Sequence, residues 1–149
     1  MNHRQMEAVV VEDDPNDTEL IVRVLREHDL ADKIVLLKDG AEALDFLFAP
    51  GGDVTHGDGS SLRVVFLDLK LPKVDGMEVL RRMKADARIR TIPVVILTSS
   101  TEPRDLKEAY ELGANSFVAK PIQFEEFSRA VAQLAEYWLV LNKPPVRRA

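Results

Sequence analysis

Five polar residues in this chain stand directly at the ends of apolar runs. Asp68 follows Val64-Val65-Phe66-Leu67, Glu12 and Asp13 follow Ala8-Val9-Val10-Val11, Thr98 follows Pro93-Val94-Val95-Ile96-Leu97, and Lys120 follows Ser116-Phe117-Val118-Ala119. A short continuous run rich in β-branched and aromatic residues reads as a strand buried on both faces. Its end then lies at the carboxyl edge of the sheet, where open α/β folds place their chemistry. Three carboxylates gathered there repel one another and raise each other's pKa values unless a cation sits among them. All-oxygen ligation with room for water suits Mg²⁺ better than a softer metal. Lys120 adds a compact positive charge suited to an anion carried by Asp68, and Thr98 offers a hydroxyl donor. A carboxylate nucleophile, a divalent cation, an ammonium and a hydroxyl together make a phosphoryl-transfer site. Each residue alone is ordinary: acids after strands cap helices, and Lys-Pro is a common surface dipeptide. Their meeting on one edge carries the reading.

The elements must therefore bring those ends together. Ile34-Val35-Leu36-Leu37 supplies a further strand, and five helices alternate with the five strands. Asp14 reads as N-cap and Pro15 as first residue of a helix with Leu20, Ile21, Val24 and Leu25 inward. Asp39 caps a helix carrying Ala43, Leu44, Leu47 and Phe48, and the turn Pro72–Gly76 feeds one carrying Met77, Val79, Leu80 and Met83. Leu106, Ala109, Tyr110 and Leu112 mark the next helix, which Gly113 stops. The last runs from Gln123 to about Leu141, short of Pro144-Pro145. This alternation predicts right-handed βαβ units and a parallel sheet covered on both faces, in the doubly wound order 2-1-3-4-5. That order sets Glu12 and Asp13 beside Asp68, with Thr98 and Lys120 closing the same edge. We expect one domain over residues 7–141, a short tail at 142–149, and no output domain.

Composition narrows the function. The chain has 149 residues and a net charge of -5, which disfavours a general nucleic-acid surface. It has no cysteine, and His3, His28 and His56 form no ligand cluster. His56 lies in the Gly- and Asp-rich stretch Pro50–Ser61, which reads as a solvated loop. No apolar run approaches the ~20 residues of a membrane span, and the N-terminus lacks a secretory apolar segment. The expectation is a cytoplasmic protein without direct nucleic-acid or membrane partners.

Val11-Glu12-Asp13-Asp14-Pro15, Leu67-Asp68-Leu69-Lys70-Leu71-Pro72, Asp75-Gly76, the run Val94–Ser99, Gly113-Ala114-Asn115 and Lys120-Pro121 resemble the receiver domain of two-component response regulators, a flavodoxin-like fold. The resemblance implies that Asp68 is the phospho-acceptor, Asp13 a direct Mg²⁺ ligand with Glu12 assisting through water, and the Lys70 carbonyl a further ligand. It makes Thr98 the switch hydroxyl, Lys120 the family's lysine and Phe117 the aromatic switch position, here Phe in place of the commoner Tyr. It also implies a cis peptide before Pro121. Asn16-Asp17, the Pro50–Ser61 loop, the run Tyr110–Gly113, Tyr137-Trp138-Leu139 and Asn142-Lys143-Pro144-Pro145 are similar to single-domain regulators paired with bacterial phytochrome histidine kinases. The implied function is acceptance of a phosphoryl group from a sensor histidine kinase, with output to another protein through the surface of the fourth helix, fifth strand and fifth helix. An unphosphorylated scaffold and an aspartyl-nucleophile phosphohydrolase are the alternatives; Lys70, where the hydrolase places a second acid, speaks against the latter.

The last helix, about 28 Å long at ~1.5 Å per residue, should overhang strands of ~17–20 Å. Its end, Tyr137 to Leu141, then either folds back on the core through Trp138 or exposes an apolar patch. The second reading predicts a homodimer across the output surface, tightened by phosphorylation.

Overall fold

Every apolar run forms its strand. The computed structural model describes residues 6–49 and 62–145. The elements in order are β1 (Ala8–Val11), α1 (Pro15–Glu27), a 3₁₀ turn (Ala31–Lys33), β2 (Ile34–Leu37), α2 (Gly40–Leu47), β3 (Val64–Leu67), α3 (Gly76–Ala85), β4 (Val94–Thr98), α4 (Pro103–Leu112), β5 (Ser116–Ala119) and α5 (Phe124–Glu136). A single π-helical turn, Tyr137–Leu141, ends the helical structure. All strand pairings are parallel, in the order β2-β1-β3-β4-β5. The Pro50–Ser61 loop with His56, and His3, lie outside the described residues.

The strand period of two divides the core into two layers. Val9, Val11, Val65, Leu67, Val94 and Ile96 face α2, α3 and α4 through Ala43, Leu47, Val79, Leu80, Met83 and Ala109. Val10, Val64, Phe66, Val95 and Leu97 face α1 and α5 through Leu20, Ile21, Val24, Leu25, Phe127 and Val131. β1, β3 and β4 are buried throughout, which is why their sequences show no alternation.

The expected caps form. Asp14 accepts from the N–H groups of Asn16 and Asp17, Asp39 from Glu42 and Asp75 from Glu78, each satisfying donors the helix leaves open. Gly113, at φ 113°, ends α4. Asn115 follows and bonds Val94 twice: its N–H donates to the Val94 carbonyl, and its Oδ1 accepts from the Val94 N–H. The same Oδ1 also accepts from the Lys84 ammonium, which bonds the Arg90 and Ile92 carbonyls as well. The Gly-Ala-Asn segment therefore moors the entry of β5 to the entry of β4.

Two expectations are corrected, and one helix is less buried than its composition suggests. Of the four apolar positions that mark α4, only Ala109 is buried; Leu106 and Tyr110 are 42% and 49% exposed. α4 reaches the core through Ala109 and the partly buried Leu112, so spacing identified its apolar stripe but not its burial. The last helix does not run as one α-helix to Leu141. Its final turn widens, with the Asn142 N–H donating to the Tyr137 carbonyl and Arg63 Nη2 donating to the Asn142 carbonyl. Leu139 is buried there and Trp138 half-buried, while Tyr137, Val140 and Leu141 are exposed. The peptide before Pro121 is trans; no cis bond occurs among the described residues.

The loop after β3 has no slack. A Cβ on Gly76 would lie 2.0 Å from the Asp68 carbonyl oxygen, and the Gly76 N–H donates to the Leu69 carbonyl at 2.9 Å. Gly76→Ala should therefore displace main chain rather than a side-chain tip, costing about 3 kcal/mol as severe overpacking does. Urea unfolding measures it, and an unchanged midpoint would contradict the tight approach.

Candidate functional site

The sheet order places the end of β3 between the ends of β1 and β4. Asp68 is buried there, its N–H donating to the Val11 carbonyl, and Glu12 is buried beside it with its N–H on the Leu37 carbonyl. These main-chain bonds extend the parallel ladder one residue past each strand and aim both carboxyls at the edge. Asp13 is exposed on the same rim. Carboxylate oxygens of Glu12, Asp13 and Asp68 all lie within 4.8 Å of one another. Three hard oxygen donors, two buried and one open to solvent, fit a divalent cation that retains water.

Lys120 reaches this cluster from the end of β5. The Lys120 N–H donates to the Thr98 carbonyl, and its ammonium contacts Glu12 Oε1 at 2.6 Å, Asp17 Oδ2 at 2.9 Å and Asp68 Oδ2 at 2.9 Å. Burial alone would lower the lysine's pKa, but the hydrogen bonds to these three carboxylates outweigh it and hold the group above its ordinary range. Burial pushes the Glu12 carboxyl up to about 7, against the hydrogen bond and charge of Lys120. The remaining oxygens are also engaged: Glu12 Oε2 accepts from the Asp14 N–H and Asp68 Oδ1 from the Lys70 N–H.

The structure thus brings together Glu12, Asp13, Asp68 and Lys120. The Lys70 main chain meets Asp68 through its N–H, while its side chain is exposed with the ammonium 4.0 Å from Asp105. Thr98 is fully buried at the end of β4, its hydroxyl oxygen accepting from the Ser100 N–H at 3.3 Å. Ser100 Oγ in turn donates to Asp105 at 2.6 Å, tying the start of α4 to the loop after Thr98. Phe117 is half-buried against the layer that includes α4. A groove of about 650 Å³, lined in part by Asp13, Lys70, Asp75, Arg104 and Asp105, gives access to the acidic rim.

Asp17 is the functional-site residue that reading the motifs for their chemistry missed. It sits in the first turn of α1, three residues past the N-cap, where an acid normally serves the helix dipole. Only the crossing of α1 and β5 reveals that it holds Lys120.

The sequence profile of the response regulator receiver domain matches residues 8–132. Over 138 residues the chain is 44% identical to the probable methanogenesis regulatory protein FilR2 of Methanothrix harundinacea, covering 92% of this chain and 86% of that protein. The crystal structure of the Mn²⁺-bound form of the response regulator Rcp1, a protein of Synechocystis, superposes with a TM-score of 0.82 at 30% identity, covering 93% of this chain and 99% of that one. The phosphorylated cyanobacterial phytochrome response regulator RcpA gives the same TM-score and identity, over 94% and 99% of the two chains.

Proposed function

This chain belongs to the response regulator receiver family of two-component signalling, and on that premise we propose that Asp68 is its phospho-acceptor and Mg²⁺ its cation. The single observation that supports this best is the Lys120 ammonium lying 2.9 Å from a buried Asp68 whose other oxygen is held by the Lys70 N–H. Asp68 attacks the phosphorus of a kinase phosphohistidine. A P–O bond forms to one carboxylate oxygen as the P–N bond breaks, and the electron pair returns to the imidazole ring. Lys120 faces the charge that gathers on the phosphoryl oxygens. Glu12, Asp13 and Asp68, with the Lys70 carbonyl, would hold the cation, Asp13 directly and Glu12 through water. Bound Mg²⁺ supplies neutralising charge and orientation for the phosphoryl oxygens.

The acyl phosphate adds about 1.5–2 negative charges at the edge. Its oxygens draw the Thr98 hydroxyl away from Ser100, and Phe117 moves into the vacated space. That rearrangement alters the α4-β5-α5 surface through which output passes. The likeness to RcpA supports a phytochrome-type histidine kinase as donor in the cytoplasm, and a downstream protein as target.

Incubation with acetyl phosphate, with and without Mg²⁺, followed by intact-mass measurement tests the reading. One added phosphoryl group is expected with Mg²⁺ and almost none without it; equal labelling in both arms would contradict the role of the cation.

Leu106 and Tyr110 on α4, with Tyr137, Val140 and Leu141 beyond α5, leave apolar area in water. A homodimer across α4-β5-α5 would cover it, weak without phosphate and tighter with it. In sedimentation velocity the beryllofluoride-treated protein should shift to dimer at lower concentration than the untreated one. A monomer in both states at high micromolar concentration would dispose of the dimer.

A further inference from the structure

The Lys120 ammonium has three protons and three carboxylate partners, so its donors are saturated. Two of those partners, Glu12 and Asp68, belong to the cluster that suits a divalent cation. The third, Asp17, stands outside that cluster and is about one quarter exposed in the first turn of α1. A cation drawing on Glu12 and Asp68 competes with the ammonium for the charge of the same two carboxylates. Phosphorylation then removes the charge from one Asp68 oxygen. The cation thus weakens two of the three holds on Lys120 and phosphorylation one of them, and neither event touches the hold from Asp17.

We infer that Asp17 is a positioning residue for phosphoryl transfer, the fixed anchor on which Lys120 stays while the cation and then the phosphoryl group displace its other partners. This rests on Asp68 being the acceptor. Lysine carries its charge on a flexible four-carbon stem, so a single anchor at its tip decides where the charge lies. Without Asp17 the ammonium has only Glu12 and Asp68 left. It then sits harder on the carboxylates the cation needs, and once the cation is bound nothing places it against the phosphoryl group. Asp17 therefore serves both steps without touching the reacting atoms.

The test compares Asp17→Ala and Asp17→Asn with the unsubstituted protein, full-length in each case. Mg²⁺ affinity is read by calorimetry, and the rate of acyl-phosphate formation from acetyl phosphate at saturating Mg²⁺ by intact mass. Asp17→Ala should lose roughly ten- to a hundredfold in both, the range for partners that orient a ligand set. Asp17→Asn keeps an oxygen acceptor but no charge. It should recover most of the rate at saturating Mg²⁺ while its Mg²⁺ affinity stays reduced, a separation that a role in helix stability alone would not produce. Wild-type rate and affinity in Asp17→Ala, with or without a lowered melting temperature, would overturn the anchor and leave Asp68 as acceptor untouched. An unsubstituted protein that takes no label, or takes it elsewhere than Asp68, would overturn the acceptor assignment and the anchor with it.

Discussion

Asp68→Asn protein will gain no phosphoryl mass from acetyl phosphate with Mg²⁺, or from a phosphorylated histidine kinase, under conditions that label the unsubstituted chain. The substitution is nearly isosteric, and the side-chain amide can still accept from the Lys70 N–H through its carbonyl oxygen, as Asp68 does at 3.1 Å. What is lost is the anionic nucleophile and one of the three charges on Lys120. The neighbouring acids cannot stand in. Both Glu12 oxygens are occupied, one by Lys120 and one by the Asp14 N–H, and Asp13 lies on the exposed rim. The fold should survive, because the main-chain N–H at this position keeps its bond to Val11 whatever the side chain carries. Unchanged far-ultraviolet circular dichroism with complete loss of labelling is the expected pair of results. Normal labelling of the variant would place the acceptor elsewhere.

Most of the scaffold was legible because parallel strands buried on both faces are spelled as unbroken apolar runs. β1, β3 and β4 show this directly, and the alternation with helices fixes their order through the handedness of the connections. The edge residues followed, since whatever stands at the end of such a strand emerges beside its neighbours. What escaped depended on how elements cross. Asp17 and Lys120 are 103 residues apart, and their contact is set by the angle at which α1 passes the end of β5. Leu106 and Tyr110 belong to the same apolar stripe, yet α4 meets the core only through Ala109 and the partly buried Leu112. The final turn widened where Arg63, at the start of β3, takes the Asn142 carbonyl, a long-range bond with no signature in the helix's own sequence.

The second large effect concerns stability. Lys120→Met removes the buried charge that lies against Glu12, Asp17 and Asp68, leaving two buried carboxylates uncompensated. Breaking a buried pair by deleting one partner costs about 3–5 kcal/mol, far more than the pair itself contributes. The pH dependence follows from Glu12, which burial already raises from 4.5 to about 7 with the ammonium in place. A carboxyl raised in the folded state leaves stability whole below its unfolded pKa and removes it as pH rises through the folded value. Removing the ammonium takes away the hydrogen bond and charge that hold Glu12 down, so its folded pKa climbs further and the window widens upward. Urea unfolding should therefore find Lys120→Met weaker than the unsubstituted protein near pH 5, where Glu12 is protonated in both and buried Asp68 alone has lost its partner, and weaker by a larger margin at pH 8. Mg²⁺ at pH 8 should restore much of the loss, because a cation among Glu12, Asp13 and Asp68 supplies the charge the lysine gave. A deficit that is the same at both pH values and indifferent to Mg²⁺ would mean that Lys120 acts through the packing of its stem, and that the carboxylates at this edge do not share its charge.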